Sequence, residues 1–394
     1  MKIKSLRLEN FKGFEKQTFN FNNKSTVFFG VNVGKSTVLR AINLILSSII
    51  NKIVQNRFKQ SINIEVQDIR FGSSICKIYM DIDLGDEVFL YGRYMSKKDG
   101  KRTHNAEALE AFFLSFKSKY LEDEYKNMPI FVNYGVNRSV IDIPLRITKK
   151  HTFDKLTAFE KAIENRIDFR TFFEWFRNRE DYENQIRVRE NLAYKDLQLE
   201  SVRKAILKML DGFSNLRIER DPLRMAIQKG NINLRVDQLS DGEKCTLAMI
   251  GDLARRLALA NPTATNPLEG CGVVLIDEIE LHMHPFPNIQ FFISTHSPQV
   301  LGEVGEDINI FKLSIRNNKI ECDEISSLDA WDSNYILEGF METSSLNLVT
   351  KGQIKRMYEL IAEKKYEEAK IFVDMLEKKT NSAHEDVVKA KILI

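Results

Sequence analysis

The 394-residue sequence has few cysteines, no long apolar run and little net charge. None of its apolar stretches reaches the roughly 18 residues of a transmembrane helix. The longest, at 38–50, is interrupted by Arg40, Asn43 and two serines. The chain opens on Met1-Lys-Ile-Lys without a secretory signal, so we expect a cytoplasmic protein with no membrane partner. A net charge of +3 does not require nucleic acid as a partner, although a local basic patch would still allow it.

The four cysteines are far apart in the sequence, which excludes a disulfide framework and the paired spacing of a zinc site. We therefore expect all of them to be buried thiols: Cys76, Cys245, Cys271 and Cys322. With 43% hydrophobic residues, the chain is long enough for two or three globular substructures.

One stretch joins an apolar, β-prone run to a short glycine loop and then to an amphipathic helical pattern. It reads Val27-Phe-Phe-Gly30-Val-Asn32-Val-Gly34-Lys35-Ser36-Thr37. Backbone N–H groups at a helix N-terminus bind phosphate, a lysine there reaches the outer phosphates and a hydroxyl binds Mg²⁺. We therefore expect a triphosphate on this loop, although Gly-Lys-Ser-Thr alone also fits an ordinary loop-to-helix turn. The assignments are Gly30, Asn32 and Gly34 for the loop amides, Lys35 for the outer phosphates, Ser36 for Mg²⁺ and Thr37 for an inner phosphate.

Three further stretches fit the same site. An apolar strand at 272–276 is followed by Asp277, expected to hold Mg²⁺ through water, and Glu278, expected to polarise the attacking water. A second apolar strand leads to His296, a candidate contact to the γ-phosphate. Leu239-Ser240-Asp-Gly242-Glu243-Lys opens a helix, and its Ser-x-x-Glu spacing is also a capping box that needs no nucleotide. Each stretch has such an ordinary alternative, but their joint order favours an ATP site with Lys35, Glu278 and His296 in catalytic roles.

On these residues the sequence resembles the RecF/SMC-like branch of ABC-type ATPases. More narrowly, it resembles the ATP-binding proteins of bacterial anti-phage systems, including those of the Septu type, which are also found with retrons. The resemblance covers most of the chain. Its quoted motifs are Leu8-Glu-Asn-Phe-Lys-Gly-Phe14, Gln238-Leu-Ser-Asp-Gly-Glu243, Ile279-Glu-Leu-His-Met-His-Pro285 and Ser294-Thr-His-Ser-Pro-Gln-Val-Leu301.

The resemblance implies an α/β fold: an ABC-type head with a mixed sheet flanked by helices, an antiparallel N-terminal lobe, a helical insertion lobe and a helical tail. Lys12 would lie near the phosphates, unless it is only a turn lysine, and Gln67 would lie near Mg²⁺, unless it merely joins two strands. Ser240, Gly242 and Glu243 of one subunit would reach the γ-phosphate held by another. That arrangement implies a head-to-tail dimer or a higher even oligomer.

The resemblance also implies a nuclease partner, such as an HNH protein, whose activity the nucleotide state controls in anti-phage defence. The chain itself has no nuclease motif and no sustained heptad repeat, so the long coiled coil of SMC proteins is not expected. Two alternatives stay open. One is a DNA-repair ATPase of the RecF kind, which would need a basic dimer cleft and salt-dependent DNA binding. The other is a non-catalytic nucleotide-binding scaffold for assembly.

Two features depart from the family pattern. Only Val31, Asn32 and Val33 separate Gly30 from Gly34, where the general loop has four residues. Val33 would then stand where glycine tolerates the backbone turn, which should weaken phosphate binding. The connection from Glu278 to the strand near 289 is also shorter than the dozen or so residues that usually join parallel strands, and its prolines exclude a helix. We hypothesise that segments are missing near 32–34 and 285–287.

The pattern predicts four domains: an N-terminal ATPase lobe at 1–150, a helical insertion lobe at 151–215, a C-terminal ATPase lobe at 216–325 and a helical module at 326–394. The aromatic run at 169–176 should form the core of the helical lobe. Arg138 either faces the nucleotide or makes a surface salt bridge. The C-terminal helices either dock a partner or simply cap the chain.

Overall fold

The fold is taken from a computed structural model of the chain. It describes residues 1–31, 33–55, 57–58, 62–136, 153–278, 286–316, 319–328, 331, 333–341, 348–380 and 385–394. These residues form two compact units, Met1–Asp329 and Ala330–Ile394. Within the described residues, none of the helices combines the length and apolar character that crossing a membrane requires.

A six-stranded mixed sheet forms the centre of the first unit. Its strand order is β14-β13-β3-β12-β11-β7, and all neighbours are parallel except β13 and β14. Strands β3, β12 and β11 are buried on both faces, which is why their sequences are apolar runs. The strands are β3 (Ser25–Phe29), β7 (Ile130–Tyr134), β11 (Gly272–Ile276), β12 (Ile289–Ser294), β13 (Ile308–Arg316) and β14 (Lys319–Ile325).

A five-stranded antiparallel sheet lies in the same unit, with the order β2-β1-β4-β5-β6. Buried and more exposed residues alternate along β4, as expected of a sheet with one face on the core. Its strands are β1 (Lys2–Phe11), β2 (Phe14–Asn20), β4 (Ile75–Asp83), β5 (Val88–Ser96) and β6 (Arg102–His104). The N-terminal antiparallel lobe expected from the resemblance is therefore present.

Two helices pack against these sheets. Helix α1 (Lys35–Ile53) begins at the end of the glycine loop and buries Val38, Ile42 and Ile45 at helical spacing. Helix α2 (Ala106–Tyr120) follows β6. The ammonium of Lys155 binds the chain that leaves this helix, because it donates to the carbonyls of Tyr120, Asp123 and Lys126 at 2.7, 2.8 and 3.0 Å.

The rest of the first unit contains a three-stranded antiparallel sheet and four helices. The sheet order is β10-β9-β8. The aromatic run at 169–176 is buried, with Trp175 and Phe176 fully enclosed, which confirms that it forms core. These elements are α3 (Phe169–Arg189), α4 (Leu197–Met209), β8 (Phe213–Arg220), β9 (Leu223–Lys229), β10 (Ile232–Arg235), α5 (Asp241–Ala260) and α6 (Pro298–Gly302), with short 3₁₀ turns at Val66–Asp68, Lys155–Phe159, Val236–Gln238 and Pro267–Glu269.

The second unit is helical, as the pattern of the tail predicts. It has its own small core, formed by Met357, Val373, Leu376, Val387 and Ala390. Its elements are α7 (Ser333–Tyr335), which continues into a π-helical turn (Ile336–Phe340), and then α8 (Leu348–Ala362), α9 (Tyr366–Thr380) and α10 (Glu385–Leu393).

One expectation from the sequence needs correction. Of the four cysteines, Cys76 is buried, but Cys245, Cys271 and Cys322 are only partly buried. Cys271 directly precedes β11, whereas Cys245 lies near the start of α5 and Cys322 lies in the middle of the edge strand β14. The connection between the adjacent parallel strands β11 and β12 runs through residues 279–285, which lie outside the described residues, so the missing segment near 285–287 stays a hypothesis.

Candidate functional site

Three neighbouring strands of the central sheet deliver the predicted site residues to one edge. Gly30 follows β3, His296 lies two residues beyond β12, and Asp277 with Glu278 follows β11. Because β3, β12 and β11 are parallel neighbours in that order, their carboxyl ends meet at the same edge of the sheet. Polar side chains from three distant parts of the sequence therefore surround the start of α1.

Both glycines of the phosphate loop, residues 30–35, have positive φ angles. Gly30 has a φ of 134°, and a Cβ there would lie 2.2 Å from the carbonyl oxygen of Leu313. Gly34 has a φ of 71° and is the N-cap of α1. Val33, which the short loop places where glycine tolerates the backbone turn, is buried. Asn32 lies outside the described residues.

Lys35 is buried at the first position of α1 and points back under the loop. Its ammonium donates to the carbonyl oxygen of Gly30 and lies 2.9 Å from Nε2 of His296. Burial lowers the pKa of Lys35, while the nearby carboxylates of Asp277 and Glu278 oppose that shift. Lys35 thus lies beneath the loop, in contact with the histidine that the sequence predicts to bind the γ-phosphate.

Ser36 and Asp277 meet beside this lysine. The hydroxyl of Ser36 donates to Oδ1 of Asp277 at 3.1 Å, and the hydroxyl of Ser294 donates to the same carboxylate oxygen. Mg²⁺ prefers oxygen ligands and keeps several positions for water and substrate phosphates. A hydroxyl and a carboxylate in contact fit that preference, so this pair could hold the metal. Across the described residues, no group of three or more His, Cys, Asp and Glu could hold a metal without such outside ligands.

Ser294 also positions Glu278, the residue that follows Asp277. The hydroxyl oxygen of Ser294 accepts a hydrogen bond from the backbone N–H of Glu278 at 2.9 Å. Glu278 takes a left-handed φ of 58°, its side chain is half exposed, and its Oε1 lies 4.0 Å from Nε2 of His296. Ser294 belongs to the Ser294-Thr-His-Ser motif of the sequence, but only the fold reveals that its hydroxyl contacts the residues that follow β11.

A cavity of about 880 Å³ opens beside the phosphate loop. Its walls include Lys12, Ser36, Thr37, Arg40, Asn133 and Asp277. The cavity therefore brings Lys12 and Thr37 to the same space as the Ser36–Asp277 pair. Gln67 does not stand among the described residues of this wall, and its amide instead donates to the carboxylate of Glu65.

Lys12 is held at this wall by the buried carboxylate of Asp68. Its ammonium lies 3.6 Å from Oδ1 of Asp68, and Arg40 binds both oxygens of the same carboxylate at 2.9 and 2.8 Å. Burial alone would raise the pKa of Asp68, but Arg40, the amide of Glu65 and Lys12 together bring it below its usual value. Neither Asp68 nor Arg40 is recognisable from sequence spacing, because they lie 28 residues apart.

The signature segment, residues 239–244, forms a separate cluster at the start of α5. Ser240 is the N-cap, and its side chain forms the predicted capping box with Glu243. The other carboxylate oxygen of Glu243 accepts a hydrogen bond from Lys229 at 2.6 Å, which lowers the pKa of Glu243 to about 2. Ser240 and Gly242 are exposed, and a Cβ on Gly242 would meet nothing within 4 Å. None of the three signature residues is among the described residues that line the cavity.

Several residues singled out in the sequence are outside the described ranges. They are Asn32, Arg138 and the motif at 279–285. The proposed missing segments near 32–34 and 285–287 fall partly on the same positions.

The fold and the site together have the layout of a P-loop ATPase domain: a largely parallel sheet with an antiparallel lobe, and an Asp-Glu pair beside the phosphate loop. The chain belongs to the AAA domain family, whose model matches residues 5–212.

Curated relatives agree with this family. The chain is 30% identical to the "Retron Ec83 probable ATPase" of Escherichia coli, over 76% of this chain and 69% of that protein. It is 27% identical to the "Retron Vc95 probable ATPase" of Vibrio cholerae serotype O1 biovar El Tor, over 79% and 73%. The "Septu protein PtuA" of Bacillus thuringiensis is 23% identical, over 76% and 72%. Among solved structures, the SMC head bound to the C-terminal winged-helix domain of ScpA has a TM-score of 0.48 at 15% identity, covering 83% of this chain and 98% of that one.

Proposed function

We propose that this protein binds ATP with Mg²⁺ on the phosphate loop and hydrolyses it. One observation carries the proposal: Lys35, Ser36, Asp277, Glu278 and His296 converge at the carboxyl ends of three adjacent parallel strands. In open α/β sheets this edge is where ligands bind. The family match and the relatives named as probable ATPases support the same reading.

Each residue then has a definite task. The loop amides and the N-terminus of α1 bind phosphate oxygens, and the ammonium of Lys35 exchanges the Gly30 carbonyl for the outer phosphates. Ser36 and Asp277 hold Mg²⁺, which when bound neutralises the phosphate charge. Glu278 orients the attacking water and accepts its proton. His296, in contact with Lys35 and near Glu278, binds the γ-phosphate from the other side.

The same reading makes the active unit a pair of chains arranged head to tail. The signature segment is exposed at the N-terminus of a 20-residue helix, where free backbone N–H groups favour an anion. It does not line the cavity of its own chain. Ser240 and Gly242 would therefore meet the γ-phosphate of a second copy, so that ATP binding assembles the dimer and hydrolysis releases it.

We further propose that the nucleotide state controls a partner in anti-phage defence, of the nuclease class that the sequence resemblance implies. The supporting observations are the relatives named as retron and Septu proteins. The second unit, which has its own core and contains none of the candidate site residues, is the proposed docking module for that partner.

ATP turnover by the purified protein tests the central claim. Wild type should hydrolyse ATP in the presence of Mg²⁺, and Glu278→Gln should reduce kcat by roughly 10²–10⁴-fold, the usual contribution of a general base. Glu269→Gln is the matched control, because Glu269 is an exposed carboxylate near the opposite end of β11. Turnover lost only in Glu278→Gln supports the ATPase. A wild-type protein that binds ATP without turning it over would favour the non-catalytic scaffold.

A further inference from the structure

A buried hydrogen-bond chain connects helix α5 to the backbone of Asp277. It passes through Tyr134, the last residue of β7, which is fully buried. The hydroxyl of Tyr134 donates to Oδ2 of Asp252 at 2.9 Å. The carbonyl oxygen of the same tyrosine accepts the backbone N–H of Asp277 at 2.9 Å. Tyr134 is thus anchored through its side-chain hydroxyl. Its main-chain carbonyl in turn supports Asp277, whose carboxylate lies opposite Ser36.

Asp252 is a firm anchor for that hydroxyl. It is completely buried, and both of its oxygens also accept hydrogen bonds from α5, from Arg255 at 2.7 Å and from Arg256 at 2.7 Å. Burial alone would raise the pKa of Asp252, but the two guanidinium groups bring it below its usual value, so the anchor is an ionised carboxylate. Arg256 in turn donates to the carbonyl oxygens of Ala158 and Glu160 at 2.6 and 2.9 Å. The carboxylate of Asp252, which accepts the hydrogen bond from Tyr134, is therefore held by both arginines.

The main chain on either side of Tyr134 is fixed as well. The N–H of Asn133 donates to the carbonyl oxygen of Ala162 at 2.7 Å, and the N–H of Gly135 donates to that of Asn165 at 3.2 Å. The parallel pairing of β11 with β7 ends at the pair Ile276–Tyr134. The hydrogen bond from the N–H of Asp277 to the carbonyl of Tyr134 therefore extends the β7–β11 pairing by one residue, up to the candidate site.

From these contacts we infer that Tyr134 is a positioning residue for Asp277, with Asp252 as its anchor. The inference rests on the proposed function, in which Asp277 and Ser36 hold Mg²⁺. Sites of this kind work only when their ligands are held to within about 0.5 Å. Loss of the Tyr134 hydroxyl would remove the side-chain anchor of the carbonyl that binds Asp277, and the carboxylate of Asp277 would shift relative to Ser36. The phosphate loop, which starts from β3, would be untouched.

Tyr134→Phe tests this, because phenylalanine keeps the ring and removes only the hydroxyl. Affinity for a non-hydrolysable ATP analogue is measured first in EDTA and then across a Mg²⁺ titration, so the readout does not depend on turnover. We expect the affinity in EDTA to stay within twofold of wild type and the half-saturating Mg²⁺ concentration to rise at least fivefold. If the wild-type protein hydrolyses ATP, kcat should also fall at least fivefold with KM little changed.

The matched control is Tyr91→Phe, which removes a hydroxyl from another fully buried tyrosine, in β5 of the antiparallel sheet. It should leave the Mg²⁺ titration unchanged. A 4-aminophenylalanine at position 134 restores a donor to Asp252 and should recover most of the Mg²⁺ affinity. An unchanged Mg²⁺ titration in Tyr134→Phe overturns the inference. So does a variant that fails to fold or loses nucleotide binding in EDTA, because the hydroxyl would then serve the whole domain and not Asp277.

Wild-type protein that binds nucleotide in a Mg²⁺-dependent way without turnover would overturn only the hydrolysis part of the proposed function. The Tyr134 comparison could still be completed on that protein. The two failures are therefore distinguishable in the same set of titrations.

Discussion

Nζ of Lys35 lies 2.9 Å from Nε2 of His296, although the two residues are 261 positions apart in the sequence. A lysine ammonium only donates hydrogen bonds, so Nε2 of His296 is the acceptor in this contact. Phosphate oxygens are charged acceptors and form stronger hydrogen bonds with an ammonium than a neutral ring or carbonyl does. A triphosphate on the loop would therefore take over the ammonium and leave the histidine free to turn toward the γ-phosphate.

Lys35→Met should weaken ATP binding without unfolding the protein. Methionine keeps the length of the buried side chain and removes its charge, so charge-assisted hydrogen bonds of about 1.5–3 kcal/mol are lost. This corresponds to an affinity reduced roughly 10–100-fold. Isothermal titration with ATP measures the change. The control is Lys16→Met, an exposed lysine on β2. Equal affinity in wild type and Lys35→Met would remove Lys35 from the site.

Gly242→Gln should abolish ATP-dependent self-association while leaving each chain intact. A Cβ at Gly242 meets nothing within 4 Å, and replacing a helical glycine tends to stabilise a helix by about 0.5–1 kcal/mol. The new side chain would block only a second copy that docks on the signature segment. Light scattering with and without ATP measures the mass, in the Glu278→Gln background so that ATP persists.

Gly352→Gln is the control for that experiment, because Gly352 lies in α8, is exposed and likewise has open space for a Cβ. It should dimerise like the parent protein. If Gly242→Gln also gains mass on adding ATP, the head-to-tail contact is not made through the signature segment.

Asp68→Asn should destabilise the protein by about 3 kcal/mol near neutral pH, because it leaves Arg40 without its buried partner. The pKa of Asp68 is lowered in the folded state, so its charge stabilises the fold above the unfolded pKa of about 3.9. That stabilisation is lost as the pH falls through the folded pKa. Urea unfolding at pH 7 and at successively lower pH should show the difference between the two proteins narrowing below about pH 4.

Asp86→Asn provides the comparison for Asp68, since Asp86 pairs with Lys119 on the surface and is 83% exposed. Its effect should stay below about 1 kcal/mol at every pH. A difference between wild type and Asp68→Asn that does not depend on pH would mean that the carboxylate is not ionised in the fold.

Val373→Asp should unfold the second unit and leave nucleotide binding within twofold of wild type. Val373 is only 3% exposed in the small core of that unit, and a buried carboxylate there costs about 3 kcal/mol or more. Ile371→Asp, on the same helix but 61% exposed, should have little effect on stability. Circular dichroism follows the helices, and ATP titration follows the site. A large loss of ATP affinity in Val373→Asp alone would show that the second unit is needed for the site.

Much of the architecture is predictable from sequence because its signals are local. Continuous apolar runs predict the buried strands β3, β11 and β12, and the Ser240 capping box predicts the start of α5. Lys35, Asp277 and His296 are recognisable because each follows such a run and belongs to a motif. Parallel pairing then brings them to one edge without further information.

The remaining parts of the site are not predictable in this way. Asp252 and Tyr134 are 118 residues apart, and each looks like an ordinary member of an apolar helix or strand until the fold joins them. Asp68 is one polar residue in an irregular stretch, and its role comes from Arg40 and Lys12 approaching it from other elements. Gln67, its neighbour, is a more conspicuous candidate by residue type, but it contacts Glu65. Buried polar partners depend on tertiary packing, which residue spacing does not encode.

Glu278 has a left-handed backbone conformation, so the proposed catalytic role of its carboxylate and the stability of the fold favour different residues at this position. That conformation costs a residue with a Cβ about 1 kcal/mol, whereas glycine adopts it freely and asparagine does so more readily than most residues. A selection for heat resistance alone would therefore favour glycine or asparagine at 278 and discard the carboxylate. If variants of this protein were selected for thermal stability without an activity screen, we would expect the Glu278 carboxylate to be the first site residue lost.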